Sequence, residues 1–92
     1  MHNLTIRKYS FGIGDIVTTA LPTGTKIVGA VNNQREGSPY FVAAVNLACG
    51  ETINRTFRWL RMGDLVDLDE WEMLGVATPA DGSEPLVLIE KH

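Results

Sequence analysis

Tyr40-Phe41-Val42-Ala43-Ala44-Val45-Asn46-Leu47-Ala48 is apolar on both of its alternating faces. Read as a strand, it sends Phe41, Ala43, Val45 and Leu47 one way and Tyr40, Val42 and Ala44 the other. Leu86-Val87-Leu88-Ile89 repeats the pattern. A half-buried strand alternates apolar with polar residues, so both faces of these two segments call for cover. The cover is a closed barrel, a second sheet or another protein chain. A helical reading of the Ala-Ala pair fails on length. The block 40–48 has about nine residues, with Pro39 before it and Gly50 after it, and a helix wants about ten or more.

The remaining blocks of Val, Ile, Thr and aromatic residues are punctuated by Gly, Pro, Asn and Asp, as in an antiparallel β protein. The spacing predicts strands over about 4–11, 13–21, 25–31, 40–48 and 53–61, with a sixth paired to a closing seventh. Gly12 and Gly14 mark a tight turn or bulge between the first two. Leu21-Pro22-Thr23-Gly24 is a turn in which Gly24 takes the left-handed conformation. Residues 32–39 form a polar connection. Ala80-Asp81-Gly82-Ser83 holds the Asp-Gly pair of a hairpin joining strands six and seven. Leu65, Leu68 and Trp71 fall at helical spacing behind Asp64, a residue suited to an N-cap, and predict one short helical turn near 64–71. The fold class expected is all-β: a small antiparallel barrel or sandwich of six to seven strands.

The chain has 92 residues, 45% of them hydrophobic, and a net charge of −3. That is one domain, 1–92, with material for one modest core. The negative charge offers no long-range attraction for nucleic acid or an acidic membrane. No run approaches the ~20 apolar residues that span a bilayer. The first residues lack the apolar stretch of a signal peptide, so the expected location is the cytoplasm. A single cysteine, Cys49, excludes an internal disulfide.

Catalytic groupings are sparse, and the reading is a non-enzyme with no cofactor and no metal. The histidines, His2 and His92, stand near the two ends, and Cys49 has no interior histidine to act as its base. Gly12-Ile13-Gly14 lacks the third glycine and the following helix of a dinucleotide site. Asp64, Asp67, Asp69, Glu70 and Glu72 are spaced unlike a calcium loop and read as capping residues on a solvated face. Arg55, Phe57, Trp59 and Arg61 share one strand face while Arg58 faces away. Arginines among aromatics suit single-stranded nucleic acid, but the acids just downstream argue against it. Protein contact fits better. The candidate protein-binding residues are Trp59, Arg58, Arg61 and Trp71. The candidate oligomer interface is Tyr40, Val42, Ala44, Val87 and Ile89, the second faces of the two apolar strands, in a homodimer or larger symmetric assembly.

The order Leu21-Pro22-Thr23-Gly24-Thr25-Lys26-Ile27-Val28, then Tyr40 to Val45, then Arg55-Thr56-Phe57 before Gly63, then Leu74-Gly75-Val76-Ala77, then an aliphatic strand ending at Glu90 resembles a family of small proteins of bacteriophages and prophages, a domain of unknown function. The resemblance implies a compact β domain of phage origin and carries over no activity or site residue. Trp59-Leu60-Arg61-Met62-Gly63-Asp64 stands where the family has a glycine-rich loop. Leu-Val-Leu-Ile stands where its last strand is aromatic. The function expected is a non-enzymatic phage protein that occludes or sequesters a host protein. The alternatives are a minor virion protein, an enzyme working through the acidic cluster, and a nucleotide-signal sponge with a pocket between subunits.

Overall fold

A computed structural model describes residues 4–32, 38–48, 50–79 and 84–92. Cys49, the Ala80–Ser83 turn and most of the 32–39 connection lie outside the described residues. The described residues form seven strands: β1 (Leu4–Ser10), β2 (Ile16–Pro22), β3 (Lys26–Val31), β4 (Tyr40–Asn46), β5 (Thr52–Leu60), β6 (Trp71–Ala77) and β7 (Leu86–Lys91). They form two antiparallel sheets, sheet A in the order β1-β4-β3 and sheet B in the order β2-β5-β7-β6. No strand ladder joins the two sheets, so the fold is an open sandwich and not a closed barrel.

Turns move the chain between layers. Residues 12–15 form the first, closed by the Asp15 amide donating to the Gly12 carbonyl at 3.2 Å. The second is closed by the Thr25 amide and the Pro22 carbonyl at 3.0 Å. Its Gly24 has φ of +86°, a conformation that costs a residue with a Cβ about 1 kcal/mol or more. Consecutive strands β1 and β2 therefore lie in different sheets, and β1 pairs instead with β4.

The core lies between the sheets. Phe41 and Ala43 of sheet A meet Leu21, Phe57, Trp59, Leu86 and Leu88 of sheet B. Phe11 links the layers at the first turn, stacked on Trp59 at 5.2 Å and edge-on to Phe41 at 6.2 Å. Tyr9 stacks on Phe41 from the neighbouring strand. Near one end of this inner layer Arg55 donates two hydrogen bonds to the Glu90 carboxylate, at 2.5 and 2.6 Å, and a third to the Thr25 carbonyl at 2.7 Å. The paired carboxylate holds the guanidinium above its ordinary pKa, against the opposing effect of burial. One ion pair thus ties β5, β7 and the turn into β3 together.

The two doubly apolar strands find different solutions. On β7, Leu86 and Leu88 enter the core while Ile89 faces outward under Trp71 and Leu60. Val66 and Val87 pack against that same cluster. Ile89 is fully buried within the chain, so Val87 and Ile89 are not an open oligomer surface. The 61–70 connection folds back and covers them.

That connection is not helical, which corrects the expected helical turn near 64–71. It is a pair of side-chain-braced turns. Asp64 Oδ2 accepts from the Arg61 amide, and Asp67 Oδ1 accepts from the Asp69 amide, both at 2.9 Å. Aspartates that bond nearby amides in this way compete with a helix for the same donors. Of the helically spaced residues, only Trp71 is buried; Leu65 is 93% exposed and Leu68 57%.

Candidate protein-docking surface

Among the described residues, none covers the second face of β4 in this way. Phe41, Ala43 and Val45 are buried between the sheets, and the intervening Tyr40, Val42 and Ala44 face outward, half-exposed. Register fixes their neighbours. Ile6 of β1 and Lys26 of β3 flank Ala44. Lys8 and Gly29 flank Val42, and Ser10 and Val31 flank Tyr40. Leu4 pairs with Asn46 at the end of the sheet.

This face reverses the usual pattern of a half-buried strand. On β1 the residues sharing Phe41's side are Thr5, Arg7 and Tyr9, whereas Leu4 and Ile6 project to solvent, 60% and 62% exposed. Lone exposed aliphatics are ordinary on a soluble protein. Here they are contiguous with Val31, Tyr40 and Val42 across three strands, and a continuous apolar patch is the mark of an interaction site.

Its charges have one sign. Lys8 and Lys26 lie on it, Arg7 lies on the other side of β1, and the three strands contain no Asp or Glu. Lys8 Nζ sits 4.9 Å from the centre of the Tyr40 ring, a cation–π contact that lays the lysine stem along the apolar surface. The face therefore offers an aliphatic centre with ammonium groups at its margins, suited to an apolar surface bordered by acids.

The other sequence candidates do not converge on one surface. Trp59 is 1% exposed, and its indole N–H donates to the Phe11 carbonyl at 3.2 Å. It is a core residue out of a partner's reach. Phe57 and Trp59 share the inner face with Arg55, as their spacing predicts. Arg58 lies half-buried on the outer face of sheet B, between Ile16 and Ile89. Arg61 is exposed in the connection that follows, and Trp71 is buried over Leu60 and Ile89. Sequence reasoning named the central strand of the sheet A face but missed Leu4, Ile6, Lys8, Lys26 and Val31. The signal was the pairing of Leu4 and Ile6 two residues apart, which places them on one face of a strand.

A shallow cleft runs between edge strands β3 and β6, lined by residues 27–30, 74–76 and Leu88. Both strands carry a bulge there, between Ile27 and Gly29 and between Met73 and Gly75. Bulges blunt sheet edges, and no charged side chain lines the cleft to hold a nucleotide's phosphate. Among the described residues, no group of three or more His, Cys, Asp or Glu is placed to hold a metal ion, and no helix is long and apolar enough to cross a membrane. Compared with known protein families, characterised proteins and solved structures, the chain matches none.

Proposed function

We propose that this chain is a small non-enzymatic, phage-encoded binding protein that occludes or sequesters a host protein in the cytoplasm of the infected cell, through the outer face of sheet A. The phage origin rests on the sequence resemblance. The mode of action rests on one observation: β1, β3 and β4 leave a continuous apolar face uncovered, with lysines at its margin. Burying that face removes several half-exposed aliphatic side chains from water, each worth about 1 kcal/mol or more. The partner it suits is a protein surface with an apolar centre and acidic border.

Capture from host lysate on the tagged chain tests this reading. Ile6 and Lys8 are exposed, so Ile6→Glu with Lys8→Glu, which also gives up the Lys8–Tyr40 contact, costs the fold about 1–2 kcal/mol. The double variant is expected to lose the captured protein, by tenfold or more. Arg58→Ala with Arg61→Ala is expected to retain it. The opposite result, capture lost with the arginines and kept with the face variant, would move the working surface to sheet B.

A further inference from the structure

The same chain displays a segment with the chemistry that this face suits. The 61–70 connection holds Asp64, Asp67, Asp69 and Glu70 and, among them, Leu65 and Leu68, 93% and 57% exposed. Val66, between the two leucines, turns inward onto the cluster of Leu60, Trp71 and Ile89. The connection is thus pinned to the outer side of sheet B while Leu65, Leu68, Asp67, Asp69 and Glu70 are exposed and Asp64 is half-buried in its turn. Sheet A presents its apolar, lysine-bordered face on the opposite side of a slab whose Cα extents are 41 × 30 × 17 Å.

We infer that the occupant of the sheet A face, when no foreign partner is present, is the 61–70 connection of a second copy. Leu65 and Leu68 of one copy lie on Ile6, Val42 and Ala44 of the next, and its acids meet Lys8 and Lys26. Charge decides between this contact and a symmetric one. Pairing two sheet A faces sets Lys8 and Lys26 of one copy against those of the other, with no acid in any of the three strands to compensate, and like charges across a dehydrated contact are disfavoured. Donor and acceptor surfaces lie on opposite broad sides, so a pair of copies does not close on itself, and the association is a head-to-tail stack that lengthens with concentration. A three-stranded face covers only about 20 by 15 Å, well below a standard interface, so the contact is weak and exchanging. Salt weakens it by screening the lysine–carboxylate attraction.

The inference rests on reading this face as a docking surface, and the experiment separates the two. Sedimentation velocity of the full chain is run over a concentration series up to the millimolar range, at low and high salt. The wild type is expected to gain average mass with concentration and to lose that gain in salt. Lys8→Glu with Lys26→Glu spoils the face; Leu65→Ser with Leu68→Ser spoils the connection. All four residues are exposed, and matching thermal melts verify the folds. Each variant alone is expected to stay monomeric. Mixed in equal amounts they are expected to form a dimer and nothing larger, because one copy retains only the face and the other only the connection. A connection variant that associates like the wild type would overturn the inference in favour of face-to-face pairing. A mixture that stays monomeric overturns it as well. A wild type that stays monomeric throughout also does so, and leaves the face to a foreign protein or an anionic lipid surface. Failure of the docking reading itself shows elsewhere, as undiminished capture of a host protein by the Lys8→Glu, Lys26→Glu variant.

Discussion

Trp59→Ala is expected to destabilise the protein by about 3–5 kcal/mol. The indole is 1% exposed, stacks on Phe11 and donates its N–H to the Phe11 carbonyl. Truncation opens a cavity where the first turn meets sheet B and leaves that carbonyl without its donor. A domain of 92 residues has roughly 5–14 kcal/mol in total, so this single change removes a large share of it. Thermal unfolding followed by circular dichroism is expected to show a midpoint lower by about 15 °C or more. Trp59→Phe retains most of the ring packing and is expected to cost less than half as much. Arg61→Ala, at an exposed position, is expected to change stability by about 0.5 kcal/mol or less. A Trp59→Ala variant that melts like the wild type would mean that the ring is not in the core. Loss of partner capture by Trp59→Ala therefore reports unfolding and not a lost contact.

The second large effect concerns the Arg55–Glu90 pair. Both side chains are mostly buried, 16% and 13% exposed, and the contact is bidentate. Glu90→Gln preserves shape but leaves the Arg55 charge without its counter-charge in a mostly dry site. The expected loss is about 2–4 kcal/mol, measured by urea unfolding. Replacing both partners with apolar residues, Arg55→Met with Glu90→Leu, is expected to cost less than Glu90→Gln alone, because no charge is then stranded. A double-variant loss equal to the sum of the losses of Arg55→Met alone and Glu90→Leu alone would show that the pair is not coupled.

Much of this fold is legible in the chain. Pattern alone places β4 and β7 as doubly apolar strands, pairs β6 with β7, assigns Gly24 its left-handed turn and puts Arg55, Phe57 and Trp59 on one face. Three things are not legible, for physical reasons. Period-two alternation says which residues share a face but not whether that face meets the other sheet. Leu4 and Ile6 share a face by that pattern, and in the fold that face is turned to solvent. Local turn signals do not reveal that β1 pairs with β4, a partnership some forty residues away in sequence that depends on how the layers stack. In the 61–70 connection, spacing of Leu65, Leu68 and Trp71 suggests a helix, but aspartate side chains take the amide donors and Val66, not Leu65 or Leu68, is the residue that packs. The same reversal explains the candidate site. Trp59 has the composition of a hot spot and the burial of a core residue, whereas the exposed face is built from aliphatics that composition does not single out.

Ile6 on sheet A and Ile16 on sheet B are matched probes, 62% and 60% exposed on opposite faces. A photo-crosslinking amino acid is placed at one position or the other in the full chain, and the protein is irradiated in host cells and at high concentration in isolation. Crosslinks from position 6, to a host protein in cells and to residues 61–70 of a second copy in isolation, with no host protein crosslinked from position 16, are the expected result. Crosslinks from position 16 with none from position 6 would contradict it.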